Sequence, residues 1–203
     1  VIVYQMAASL EHFQRFSSIK NIAIYDSLTN LHNRRYFEES LEIEVQKSFS
    51  NRVPLSLIMV DIDHFKKMND TFGHPEGDKV LREIASLLKA SVRKKDTVAR
   101  YGGEEFILIL PGASLEASSM IAERIRQLIE RTAFKVGQTR LNVTISLGIS
   151  NFPIHQPRSD KELVKMADLA LYEAKRGGRN RVCTFNLDQG KQEEPILMKE
   201  VGK

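Results

Sequence analysis

The chain holds 203 residues, 42% of them hydrophobic and 28% charged. That describes one globular domain with room for an appendage, and it excludes a collagen-like, disulfide-stapled or wholly disordered polypeptide. Thirty basic against 26 acidic residues leave a net charge of +4, too small an excess to demand nucleic acid or to exclude a phosphorylated ligand.

Residues 1–24 read as an amphipathic helix. Val3, Met6, Leu10, Phe13 and Ile24 recur at spacings of threes and fours, with Ser17 and Lys20 completing the seam. The stripe suits either a helix docked on its own domain or the end of a parallel coiled coil that pairs two chains. A second helix is expected from Arg34 to Ser48, capped by Asn33 or Asn30. After the turn Asn51-Arg52-Val53-Pro54, the apolar run Leu55–Val60 predicts a strand covered on both faces, ending in Asp61-Ile62-Asp63. A helix over 75–91 follows. Thr97–Tyr101 and Glu104–Leu110 then predict two strands around Gly102-Gly103, a hairpin turn expected to need positive φ. Residues 114–131 predict a helix with Met120, Ile121, Ile125 and Leu128 inward, Leu141–Ile149 a half-buried strand, and 160–176 the last long helix. Arg181–Phe185 closes the sheet, and residues 188–203 read as a loose polar tail. The expected architecture is α/β (α+β): one central mixed sheet with surrounding helices over 25–187.

Cys183 is the single cysteine, which excludes an internal disulfide and reads as a small buried hydrophobe in a reducing, cytoplasmic protein. The longest apolar stretches, Leu57–Val60 and Phe106–Leu110, fall far short of the roughly 18 residues of a membrane span. No signal peptide opens the chain. It begins with Val1, so the expectation is a piece of a longer protein, one that could be membrane-tethered, whose sensor or regulatory domain is missing.

Two acidic clusters fall where sheet proteins collect ligands: Asp61-Ile62-Asp63 at a strand end and Glu104-Glu105 at the Gly-Gly hairpin. Carboxylates on neighbouring strands, with a backbone carbonyl near Ile62, suit Mg²⁺ or Mn²⁺; an ordinary solvated turn has the same look. In the stretch Asn69–Asp78, Asn69 and Asp78 pair an amide with a carboxylate, which matches the edge of guanine, or else they serve a capping turn. Lys175 and Arg179 flank a helix end, either as phosphate ligands or as complements to the helix dipole. Arg93-Lys94-Lys95-Asp96 is a second anion site or an exposed basic loop.

At these residues the sequence resembles the GGDEF family of diguanylate cyclases. Arg100-Tyr101-Gly102-Gly103-Glu104-Glu105-Phe106 is the GGEEF variant of its signature. Asp26-Ser27-Leu28-Thr29-Asn30-Leu31-His32-Asn33-Arg34-Arg35, Asp61-Ile62-Asp63-His64-Phe65-Lys66, the Asn69–Asp78 stretch, Ser146-Leu147-Gly148-Ile149 and the segment from Ala167-Asp168 through Arg181 match in order and spacing.

The resemblance implies a nucleotide-cyclase or polymerase-palm-like fold. It implies a nucleotidyltransferase that condenses two GTP into the bacterial second messenger cyclic di-GMP across a homodimer, releasing two pyrophosphates. It further implies two Mg²⁺ or Mn²⁺ ions per site, held by Asp61, the Ile62 carbonyl and Glu104, with Glu104 also the candidate base. Asn69 and Asp78 would read guanine, with His74 nearby and room made by Gly102 and Gly103. Lys175, Arg179 and the amides of Phe65 and Lys66 would hold phosphates. Arg93, Asp96 and Arg124 fit the family's Arg-x-x-Asp site for inhibition by cyclic di-GMP. A non-enzymatic cyclic di-GMP receptor would be expected to have lost the acidic metal ligands, which Asp61 and Glu104 retain. A nucleic-acid binder lacks a basic aromatic face in this sequence.

Overall fold

The computed structural model describes residues 24–187, and the expected N-terminal helix and C-terminal tail lie outside them. The helices are α1 (Arg34–Asn51), α2 (Phe65–Phe72), α3 (His74–Ala90), α4 (Leu115–Arg131) and α5 (Asp160–Arg176). The strands are β1 (Leu55–Ile62), β2 (Thr97–Arg100), β3 (Glu105–Pro111), β4 (Ala133–Val136), β5 (Thr139–Asn142), β6 (Ile145–Phe152) and β7 (Val182–Thr184). Five strands form one sheet in the order β2-β3-β1-β6-β7. Only β6 and β7 run parallel, so the sheet is mixed, as expected.

β1 lies at the centre, and all eight of its residues are buried. Its side chains alternate between two cores, as the pleat requires. Ile58, Val60 and Ile62 join Phe106 and Leu108 of β3 beneath α3 and α4, which contribute Val80, Ile84, Ala122 and Ile125. Leu55, Leu57 and Met59 join Ile107 and Ile109 beneath α1 and α5, which contribute Phe37, Leu41, Leu163 and Leu171. A strand buried on both faces has no use for alternating polarity, which is why Leu55–Val60 reads as a continuous apolar run.

Local chemistry sets the helix ends. The Asn33 side chain accepts from the Tyr36 amide, Ser114 from Ala117 and Ser159 from Glu162, each capping the helix that follows. Gly148 on β6 lets α5 lie directly on the sheet: a Cβ there would run into the Leu171 amide and the Ala167 carbonyl. That close approach sets the height of α5, and Lys175 stands one turn beyond Leu171.

Several expectations are corrected. The stretch Leu141–Ile149 is two strands: β5 pairs with the unforeseen β4 as a separate hairpin, while β6 enters the main sheet. No element was expected between Asp63 and residue 75, and Phe65–Phe72 forms α2. On α4 the buried residues are Ser118, Ala122, Ile125 and Ile129, whereas Met120 is 69% and Leu128 40% exposed. Small residues face the core there because the helix sits close against its neighbours. Gly102 and Gly103 are absent from the positive-φ backbone positions. Their turn closes by the amides of both Tyr101 and Gly102 meeting the Glu105 carbonyl, at 2.8 and 3.3 Å. Cys183 is partly exposed rather than buried, and the burial it does have raises its thiol pKa.

Candidate active site

Antiparallel pairing sets Asp61, the penultimate residue of β1, opposite Glu105, the first of β3. The Ile62 amide donates to the Glu104 carbonyl at 3.3 Å, so both acidic clusters share one end of the sheet. From α5, the Lys175 Nζ reaches Asp61 Oδ2 at 2.8 Å. Arg179 lies near enough for its charge to favour the ionised Asp61 carboxylate. Asp61, Ile62, Glu104, Lys175 and Arg179, singled out separately along the sequence, are therefore brought together.

The electrostatics of this cluster are unbalanced. Burial pushes the Asp61 carboxyl above its usual range, against the pull of Lys175. Burial also raises Glu104 and Glu105, and the negative charge of Asp61 raises both further. Three carboxylates share too little positive charge, which a bound divalent cation would supply. Among the described residues, no three His, Cys, Asp or Glu side chains are grouped to cage a metal by themselves. Two carboxylates with a carbonyl form an incomplete all-oxygen set. That fits Mg²⁺ or Mn²⁺, which share their coordination with substrate phosphates, and does not fit a closed zinc or calcium cage.

The hairpin turn is tied down from outside. Arg100 Nη2 donates to the Gly103 carbonyl at 2.7 Å, while its Nη1 meets Asp26 Oδ1 at 3.2 Å. Asp26 in turn caps its own turn, accepting from the Thr29 amide at 2.8 Å. The Arg34 guanidinium lies 4.5 Å above the Tyr101 ring. A Cβ at Gly102 would press on the Glu105 carboxylate, which would have to swing aside; at Gly103 a Cβ would meet only open space. The open side leaves room for a ligand against the backbone.

α2 and α3 build the next part of the site. Gly73, at φ +85°, turns the chain between them, and its amide donates to the Asn69 carbonyl at 2.8 Å. The Asn69 side chain lies against Gly77, the residue before Asp78, where a Cβ would overlap it. Asn69 Oδ1 is buried with no hydrogen-bond partner. A buried acceptor left open costs about 1–3 kcal/mol, so this one is suited to a donor brought by a ligand. His74 is exposed at the start of α3. Phe65 and Lys66 open α2, ahead of its first intrahelical bond from Met68 N to His64 O, so their amides have no intrahelical partner.

Arg124 reaches the loop that carries Arg93 and Asp96. Asp96 Oδ2 accepts from the Arg93 amide at 2.9 Å, and Arg124 Nη2 reaches the Ser91 carbonyl of the same loop at 2.6 Å.

A family model described as diguanylate cyclase, GGDEF domain, matches residues 23–181. The chain belongs to the GGDEF family. The response regulator PleD of Caulobacter vibrioides is 46% identical over 163 residues, which make up 79% of this chain and 36% of that protein. Diguanylate cyclase A of Treponema denticola is 42% identical over 169 residues, covering 82% of this chain and 45% of the relative. The chain thus spans less than half the length of these relatives. Among solved structures, the coiled coil and GGDEF domain of DgcB from Caulobacter crescentus, in complex with c-di-GMP, superposes with a TM-score of 0.82 at 32% identity. That match covers 90% of this chain and 96% of the other.

Sequence reasoning passed over several residues that shape this GGDEF site. Asp63 was counted with the acidic cluster, yet its carboxylate is spent internally: Ser146 Oγ, Thr144 Oγ1 and the Asn180 amide donate to it at 2.7, 2.8 and 3.0 Å. Arg100, Asp26 and Gly77 position ligand-facing groups without facing the ligand themselves. Gly77 carried a usable signal, because a glycine in the first turn of a helix must justify its cost by a close neighbour.

Proposed function

We propose that this domain is a diguanylate cyclase that joins two GTP molecules into cyclic di-GMP. The observation that carries the reading is the meeting of Asp61 and Glu104 with Lys175 and Arg179 at one sheet end: a carboxylate cluster short of positive charge beside two cations. In each turnover the 3′-oxygen of one GTP forms a bond to the α-phosphorus of the other. The bond to the β-phosphate oxygen breaks and pyrophosphate leaves; repetition in the opposite sense closes the ring.

Asp61, Glu104 and the Ile62 carbonyl would hold two divalent cations, Mg²⁺ or Mn²⁺, which supply charge neutralisation at the phosphates and acidify the attacking hydroxyl. Lys175, Arg179 and the amides of Phe65 and Lys66 hold the β- and γ-phosphates. Asn69 and Asp78 read guanine, the amide oxygen accepting from a base N–H and the carboxylate taking the N1/N2 donor edge. His74 borders the nucleotide. Gly102 and Gly103 leave the hairpin face clear for base and ribose. Glu104 is the proposed acceptor of the hydroxyl proton.

One chain carries one nucleotide site, so the reaction needs two copies facing each other. Residues 1–24 are proposed as the segment that pairs them and receives a signal from a regulatory domain in a cytoplasmic protein. No helix among the described residues is long and apolar enough to cross a membrane. Arg93, Asp96 and Arg124 are proposed to bind cyclic di-GMP as an inhibitor, their closeness on one loop and one helix supporting the assignment.

Incubation of the chain with GTP and Mg²⁺ is expected to give cyclic di-GMP by mass spectrometry. Glu104→Ala should reduce product formation by on the order of a thousandfold or more, the scale of losing several kcal/mol of metal-based stabilisation. No product from a preparation shown to be dimeric would refute the reading.

A further inference from the structure

Two adjacent non-glycine residues, Arg179 at φ +63° and Asn180 at φ +45°, occupy the left-handed region just after α5. Backbone of this kind persists only where its surroundings over-determine it. Here the backbone amide and both side-chain polar atoms of Asn180 are engaged. Its amide donates to Asp63 Oδ2 at 3.0 Å, its Oδ1 accepts from Arg126 Nη1 at 2.8 Å, and its Nδ2 donates to Glu130 Oε1 at 2.5 Å. Two of these bonds come from α4, from residues distant in sequence.

Arg126 is itself fully braced. Its Nε and Nη2 bond both oxygens of Glu123 at 2.9 and 2.7 Å, and Nη1 also reaches Glu130 Oε2 at 3.0 Å. Its side chain is only 13% exposed, although the carboxylates around it are open to solvent. Donating hydrogen bonds to Glu123 and Glu130 raises its pKa further, so it stays charged at any working pH. An isolated pair on a helix surface is worth little. This one is directed at the backbone that carries a phosphate ligand.

We propose that Arg126 is a positioning residue for nucleotide binding: through Asn180 it holds the turn that presents Arg179 to the β- and γ-phosphates. The proposal rests on the GTP reading above. It makes α4, which carries no residue assigned to the nucleotide, part of the phosphate site. Because the effect passes through Arg179, it must be confined to ligands that carry those phosphates and must vanish when Arg179 is gone.

The test is a calorimetric titration of the full chain, with Mg²⁺ present, using GTP and then GMP, which keeps the guanine and one phosphate. Arg126→Gln is expected to weaken GTP binding roughly tenfold, about the worth of one charge-assisted hydrogen bond, and to leave GMP binding unchanged. Arg126→Lys, which keeps the charge without the fork, should restore part of the loss. In an Arg179→Ala background, Arg126→Gln should cost less than about twofold more. Equal losses for GTP and GMP, or an undiminished loss in the Arg179→Ala background, would overturn the positioning role. If circular dichroism shows Arg126→Gln unfolded, Glu130→Gln, which loosens the same clamp from the exposed side, must show the GTP-selective loss or the proposal fails. A wild-type chain that binds GTP no better than GMP would instead overturn the phosphate reading beneath it, before any variant is made.

Discussion

The two ends of β1 treat buried polarity in opposite ways. At its start, Ser56 and Asn151 are both 0% exposed, and their polar groups are used up within the protein. Asn151 Nδ2 donates to Ser56 Oγ at 2.8 Å and to the Ala113 carbonyl at 3.2 Å, and Ser56 Oγ donates to Ala113 O at 3.0 Å. The Asn151 amide ends on His155 Nδ1 at 3.0 Å. At the far end, burial raises the proton affinity of Asp61, Glu104 and Glu105, the charge of Asp61 raises that of both glutamates further, and Asn69 Oδ1 has no partner. The first arrangement holds the sheet to its loops. The second keeps its polarity open for something that is not protein, and that imbalance is the physical mark of a site.

The sharpest way to break the comparison is Glu104→Ala. Activity should be lost on the scale given above. Stability, measured by urea unfolding, should stay within about 0.5 kcal/mol or rise, because one of three mutually repelling carboxylates is removed. A large loss of stability would mean that the carboxylates support the fold, and the contrast between the two ends would collapse.

Next in size is the mirror experiment at the other end. Asn151→Ala removes the side-chain donor to Ser56 Oγ and the Ala113 carbonyl in a buried setting, leaves the backbone bond to His155 in place, and should cost about 1–3 kcal/mol in urea unfolding. Product formed per folded dimer should be unchanged at saturating GTP. A fall in that rate without loss of stability would show that the structural end reaches the site.

These ends were not equally legible in the sequence. Asp61, Gly102, Gly103, Glu104, Lys175 and Arg179 stand in short linear runs whose chemistry can be read locally, and they assemble as expected. Arg126, Asn180, Asn151 and Ser56 find partners dozens of residues away, so no local window reveals them. The Gly-Gly turn was read for its φ angles, whereas neither glycine takes a positive φ and Gly102 lies against the Glu105 carboxylate. On α4 the apolar spacing allowed more than one inward face; close packing chose the one with Ser118 and Ala122, and left Met120 in solvent. β4 and β5 are four residues each, too short for a period of two to declare itself.

Gly148 links the two ends, because it sets how closely α5 lies on β6. In Gly148→Ala the new methyl would meet backbone atoms of Ala167 and Leu171, which cannot swing aside as a side chain can. Overpacking of this kind costs about 1–3 kcal/mol. The helix must lift, and Lys175 is carried with it away from Asp61. The expected result is therefore a joint loss, in unfolding free energy by urea and in GTP affinity by titration. A stability loss with unaltered GTP affinity would separate the height of α5 from the placement of Lys175.

The smallest effect is one of pH, and it belongs to the self-satisfied end. His155 is 3% exposed; its Nδ1 accepts the Asn151 amide, and its ring meets Phe185 edge-on at 5.5 Å. Burial lowers its pKa below the ordinary 6.5. Protonation of Nδ1 would also remove the acceptor and leave the Asn151 amide unpaired. In the acid direction the unfolded chain therefore takes up this proton first. The stabilisation is fully present above the unfolded pKa and is lost as pH falls from there through the folded one. Its steepest possible slope for one proton is about 1.4 kcal/mol per pH unit. Urea unfolding at pH 7.5 and 5.5 should show wild type losing more stability than His155→Gln, whose side chain offers an oxygen acceptor that does not titrate. Carboxylates titrate alike in both chains and cancel in the difference. Equal losses would mean that the imidazole keeps its proton balance on folding, and that this end of β1 is not as closed as its hydrogen bonds make it.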